Sequence, residues 1–296
     1  MLQALQERFG IEGAVTFVAG KNGLPTMALR HASGAGAVIY LHGAHVTSWT
    51  TPKGEELFFV SRESRFAPGQ PIRGGIPVIF PQFGGGELPQ HGFARISEWA
   101  VLRTGVAEGG EITVALGLHE NPETLAMWPH PFALELEARL GERSLHLDYR
   151  AQNTGSEAFA FTCALHTYFR VADIRRTALL GLEGVTRIDT LRDDIREVET
   201  RREIRFDQET DFIYESAPDS VLLVDEGNAR KLRIEKAGMP DYVVWNPWIE
   251  KSRRMPDFGD DEYPWMLCVE TGVMARPTTL RPGEQWKGTT TFRMEA

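Results

Sequence analysis

The nine residues FALELEARL, from Phe132 to Leu140, decide the fold class. Phe132, Leu134, Leu136 and Leu140 alternate with Glu135, Glu137 and Arg139, a period of two that puts an apolar row and a charged row on opposite faces of an extended chain. The neighbouring segments repeat it. In EITVALGL the apolar Ile112, Val114, Leu116 and Leu118 alternate with Thr113, Ala115 and Gly117, and SLHLDYRAQN continues the pattern through Leu145, Leu147 and Tyr149. These are half-buried strands, one face toward a core and one toward water.

Working outward, further strands are expected at AVIYLHG, ELFFVS, PVIFPQ, EWAVLRTG, FAFTCALH, VLLVDE, KLRIEKAG, DYVVWN, WMLCVETG and WKGTTTFRM. Helical signals are few: the amphipathic N-terminal segment, a turn at NPETLAMWP with Asn121 as cap and Pro122 at the first helical position, and part of WIEKSRRM. Many short strands punctuated by 29 glycines and 17 prolines predict an all-β, antiparallel sandwich. No linker, repeat or low-complexity tract interrupts the chain, so a single domain over residues 1–296 is expected.

Composition narrows the function classes. The chain is 42% hydrophobic and 25% charged, which suits a sizeable globular core. Its net charge of -9, from 41 acidic against 32 basic residues, argues against nucleic acid as a partner, because a basic face is needed to displace counterions from phosphates. The basic doublets Arg175 and Arg176, Arg201 and Arg202, and Arg253 and Arg254 read as solvated surface. The opening MLQALQERFG is neither a signal peptide nor a membrane span, so a cytoplasmic protein without membrane contact is expected. Cys163 and Cys268 stand far apart in no CxxC pattern and read as buried free thiols.

Chemistry can sit at three places. In FAFTCALHTYFR one parity is bulky, with Phe159, Phe161, Cys163 and Leu165, and the other is Ala160, Thr162, Ala164 and His166. Three small side chains leading to an imidazole can floor a concave site. In WMLCVETG, Trp265, Leu267 and Val269 share one face while Met266, Cys268 and Glu270 share the other. A carboxylate closing so apolar a strand must reach solvent, face a cavity with partners, or form a structural ion pair. The third place is PIRGGIPVIFPQFGGGELPQHGFARISEW, where Arg73 and Arg95 flank glycines whose backbone can approach a ligand closely.

Other signatures are missing. The glycine run has neither GxxxxGKS nor GxGxxG spacing, and there is no HExxH or GxSxG. His42 and His45, three apart, would point to opposite faces of a strand and make a poor metal pair. Seven tryptophans in an all-β chain suit carbohydrate, and core packing explains them equally well.

Taken in order, IRGGIPVIFPQFG, LPQHGFAR, LHTYFR, ETDFIY, VVWNPW and VETG resemble the aldose 1-epimerase (mutarotase) superfamily, specifically its hexose-6-phosphate branch, over roughly residues 35 to 285. The resemblance implies a galactose-mutarotase-like β-supersandwich with an active site on one sheet and no metal or organic cofactor. Carried over by position, His166 of LHTYFR is the implied general acid and Glu270 of VETG the implied general base. Arg73, Gln90, Arg95 and Asp211 are the implied substrate-binding residues. Thr271 departs from relatives that carry proline after the glutamate.

Interconverting sugar anomers needs one base, to take the C1 hydroxyl proton, and one acid, to protonate the ring oxygen as the ring opens. The expected enzyme acts on hexose 6-phosphates such as glucose 6-phosphate, and a monomer is expected. Arg95 and Arg73 would grip the phosphate with Gln90, while His91, in an extended segment, would point away from both and brace the loop. A mutarotase for unphosphorylated aldoses, a non-catalytic sugar-binding module, and a glycosidase pairing Glu270 with Asp211 are the alternatives left open.

Overall fold

The computed structural model describes residues 1–295. Its strands form antiparallel sheets of four, eight and nine strands, as the period-two pattern predicts. The nine-stranded sheet contains Ile112–His119, Phe132–Leu140 and Ser144–Asn153 as consecutive neighbours. Phe132 to Leu140 alternates buried and half-buried along its whole length. Its buried residues face those of the eight-stranded sheet, so Leu134, Leu136, Leu145, Leu147 and Phe292 share one apolar cluster with Phe161, Leu165, Val244, Leu267 and Val269. Each such side chain taken out of water contributes roughly 1.5–3 kcal/mol.

The helices are short and lie where expected, at Leu2–Phe9, Pro122–Met127 and Trp248–Ser252. Asn121 caps the second, accepting from the Thr124 amide while the Thr124 hydroxyl accepts from the Asn121 amide.

Two expected strands shrink. ELFFVS makes only isolated bridges, from Glu56, Phe58 and Val60 to three different segments, and the Glu56 carboxylate accepts the amides of Trp49, Leu57 and Phe58. PVIFPQ is reduced to Val78–Ile79, since Pro77 and Pro81 on either side have no N–H to donate. Several strands had no reading in the sequence, among them Val15–Ala19, His45–Thr50 and Thr186–Asp189. The doublets are also less free than expected: Arg201 closes on the buried Glu199 carboxylate at 2.7 Å, and Arg175 donates to the Tyr263 hydroxyl.

Candidate active site

The eight-stranded sheet carries the site on the face turned away from the shared core. Strand parity sorts the residues cleanly. Phe212, Tyr214, Tyr242, Val244, Leu267 and Val269 enter the core, so Asp211, Ile213, Val243, Trp245, Cys268 and Glu270 take the opposite face. Register then sets them side by side. Ile213 pairs with Val243 and Val243 with Glu270. Leu165↔Thr271 and Tyr168↔Cys268 belong to one register, which stands His166 opposite Glu270. The next row reads Asp211, Trp245, Cys268, Tyr168. Directly opposed side chains in such rows lie within contact distance.

The Arg73 segment arrives across this face from the four-stranded sheet side. His42 and His45 each bond a carbonyl of it, Nε2 of His42 to Gln70 at 2.7 Å and Nε2 of His45 to Gly74 at 2.6 Å, which explains the pair without a metal ion. Gly74 adopts φ +123, and a Cβ there would fall 2.3 Å from the Phe59 carbonyl oxygen, so only glycine fits. The Arg73 guanidinium then meets Asp257 through Nε and Nη2, both at 3.2 Å, and the Tyr168 hydroxyl through Nη1 at 3.1 Å. Burial pulls the Arg73 pKa down, but Tyr168 and Asp257 outweigh it and hold the charge firmly.

The glycine-rich loop closes a second side. Thr162, on the small face of its strand, accepts the Phe83 amide at 2.7 Å, which pins the loop to the sheet. The room over Ala160 and Thr162 opens into a separate groove of about 650 Å³, and the site cavity begins at His166. His91 differs from the expected extended residue. It has φ 65 and is followed by Gly92 at φ 67, and this left-handed turn swings its ring toward the sheet, 5.4 Å from the His166 ring. It also braces the loop as expected, since Nδ1 accepts the Gly84 amide at 3.1 Å. With Nδ1 accepting, the neutral ring carries its proton on Nε2.

Arg73, Gln90, His91, His166, Asp211 and Glu270 line one cavity of about 580 Å³, together with Trp245 and Lys251. Arg95 is not on its wall. Its guanidinium is buried behind the loop, where Nη2 donates to the Gln90 carbonyl at 2.6 Å and Nε has no partner. Burial and the neighbouring Arg73 lower its pKa to about 10, so its charge persists. Asp211 lies 3.7 Å from the Lys251 ammonium, and its carboxyl is raised by burial against the pull of that lysine.

His166 Nδ1 approaches Glu270 Oε1 to 3.2 Å, yet Nδ1 and Oε2 have no aligned hydrogen-bond partner. Burial raises the Glu270 carboxyl well above its ordinary range, with Asp211 adding to it and Arg95 opposing. Burial, His91 and the two arginines drive His166 well below. For both groups burial is the largest cause, so at this depth desolvation favours the neutral imidazole and the neutral carboxyl. His91 falls to about 3 for the same reason of burial, aided by Arg95. The stacked Tyr168 ring, 4.8 Å from that of His166 and tilted by 8°, fixes the imidazole plane.

Thus five of the six candidate residues share the cavity, and Arg95 supports it from behind. The sequence reading missed Asp257, Lys251 and Tyr168 as members of the site. Tyr168 was legible, two residues past His166 on the same parity. Asp257 sits in the loop MPDFG, whose local pattern carries no signal.

The aldose 1-epimerase family model matches residues 25–293. A candidate glucose-6-phosphate 1-epimerase of Cenchrus ciliaris is 42% identical over 275 residues, covering 90% of this chain and 84% of that protein. Another from Escherichia coli (strain K12) is 35% identical over 234 residues, covering 78% and 77%. A mutarotase-like crystal structure from Salmonella typhimurium superposes with a TM-score of 0.88 at 28% identity, covering 97% of this chain and 95% of that one.

Proposed function

Since the chain belongs to the aldose 1-epimerase family, we propose that it interconverts the α and β anomers of hexose 6-phosphates, with Glu270 as base and His166 as acid. The observation that carries this reading is the pair itself: an imidazole and a carboxyl 3.2 Å apart at the buried end of a cavity that Arg73 and Lys251 help to line.

The resting neutral pair holds one mobile proton. Arrival of a phosphate dianion brings negative charge near His166 and offsets the cations that disfavour an imidazolium there. The proton then passes from the Glu270 carboxyl to His166, leaving a carboxylate and an imidazolium. Glu270 takes the C1 hydroxyl proton, His166 gives its proton to the ring oxygen, and the C1–O5 bond breaks to give the open aldehyde. Rotation about C1–C2 presents the other carbonyl face, and the reverse transfers close the ring with both residues restored. The neutral His91 donates from Nε2 to a sugar oxygen, and Asp211 accepts from a ring hydroxyl. Arg73 grips the phosphate with Gln90, while Arg95 adds positive charge from behind.

Nuclear magnetic resonance exchange between the anomers of glucose 6-phosphate tests the proposal. Acceleration far above the buffer rate, and above that with free glucose or galactose, is expected. A rate equal to buffer at micromolar protein favours a sugar-binding module, and faster exchange on free aldoses favours an unphosphorylated substrate.

A further inference from the structure

Anomer exchange requires a proton donor and a proton acceptor, but no thiol, and yet a thiol stands beside both. One ligand atom each of His166, Cys268 and Glu270 lie within 4.8 Å of one another, all three residues buried. Cys268 is two residues from Glu270 on the same sheet face and opposite Tyr168, diagonal to His166. It is fully buried and outside the cavity wall, which His166 and Glu270 form in front of it.

We infer that this trio is an inhibitory binding site for a soft divalent cation such as Zn²⁺, entering through the sugar cavity. The donors are a thiolate, an imidazole and a carboxylate, the three ligand types zinc takes, and zinc-bound donors of this kind stand roughly 3.5 Å apart in a tetrahedron. The His166–Glu270 separation of 3.2 Å is close to that already. Two donor atoms are unpartnered although their residues are 6% and 1% exposed, Nδ1 of His166 and Oε2 of Glu270. A cavity water completes the fourth position.

The charges balance. Cys268 and Glu270 lose their protons to solvent as the dication enters, so one thiolate and one carboxylate neutralise it, and binding tightens as pH rises. The nearby cations do not forbid this. Arg73 is already neutralised by Asp257, and Lys251 and Asp211, on the same cavity wall, offset each other. Arg95 remains uncompensated and weakens the site. Once bound, the ion occupies the lone pairs that the proton transfers need, so it competes with turnover.

The test separates metal binding from the assigned reaction. Purified protein, first treated with a chelator, is titrated with Co²⁺ and scanned for the near-ultraviolet thiolate-to-cobalt band. Inhibition of glucose 6-phosphate anomer exchange by Zn²⁺ is measured in parallel. The wild type and Cys163→Ala, whose thiol lies on the core face, should show the band and micromolar inhibition reversed by chelator. Cys268→Ala and Cys268→Ser should lose the band, keep the basal rate, and need at least roughly tenfold more Zn²⁺ for half inhibition. No band at saturating Co²⁺ in the wild type, or unchanged Zn²⁺ inhibition in a folded Cys268 variant, overturns the inference. Because the optical readout needs no substrate, its outcome stands even if the hexose-phosphate assignment fails.

Discussion

His166, in the two-residue break between strands Phe159–Leu165 and Tyr168–Arg170, stands opposite Glu270 of the strand that pairs with both, with Nδ1 3.2 Å from Oε1. If this pair moves the protons, Glu270→Gln and His166→Ala should each lower turnover on glucose 6-phosphate by roughly 10²-fold or more, the usual scale for a positioned proton-transfer group. Binding, measured by calorimetry on the variants, should largely survive. A folded Glu270→Gln protein with a near-wild-type exchange rate removes the carboxylate from the mechanism.

Arg73 and Arg95 should behave differently from each other. Arg73 lines the cavity, so Arg73→Ala should weaken glucose 6-phosphate by roughly 2–3 kcal/mol, the range for a lost charge-assisted contact, seen as a raised KM. The poor rate on free glucose should scarcely change. Arg95 holds the Gln90 carbonyl from a buried position, so Arg95→Ala should also lower the melting temperature. Equal loss on both sugars in a folded Arg73→Ala protein would show that this arginine does not read the phosphate.

The glycines that bring the loops together admit no side chain. A Cβ at Gly92 would fall 2.1 Å from the Phe80 carbonyl oxygen at φ +67, and one at Gly74 2.3 Å from that of Phe59. Gly92→Ala and Gly74→Ala should each cost roughly 1–3 kcal/mol or more of stability. Urea unfolding measures it, and midpoints like that of the wild type contradict the close approach.

Stability should fall on mild acidification. Burial lowers His45 and His91 from 6.5 to about 3. Below about pH 6.5 the unfolded chain takes up protons on both while the fold resists, so the unfolded state gains. The raised Glu270 acts in the opposite sense, contributing most below its unfolded pKa and losing that contribution as pH rises. With up to about 1.4 kcal/mol per pKa unit, His45 and His91 together lower the unfolding free energy by up to roughly 4 kcal/mol between about pH 7 and about pH 5. His166, also lowered by burial, adds to that loss and Glu270 offsets part of it, so the unfolding free energy should be lower at about pH 5. Equal values at the two pH values would mean that the histidines are not held neutral.

Much of the site was legible one strand at a time. The alternation in FAFTCALH and WMLCVETG assigned Phe161, Leu165, Leu267 and Val269 to the core and His166, Cys268 and Glu270 to the other face. Alternation is written into each strand by the pleat, so it survives without knowledge of partners. Where the backbone departs from the regular pleat, the reading failed. The extended conformation expected at His91 is a left-handed turn, and the loop that Thr162 holds divides the room over the small face into two cavities.

Sequence alone therefore determined which residues share a face of which strand, and hence an all-β fold with His166 and Glu270 pointing away from the core. Only the tertiary structure decided who stands beside whom. Register sets Glu270 against His166 and puts Asp211 one row away, and a contact spanning 184 residues joins Arg73 to Asp257. It also sinks the pair deep enough for burial to disfavour the charged form of each. Pairing and burial are properties of distant segments meeting, and no local period of hydrophobic residues encodes them.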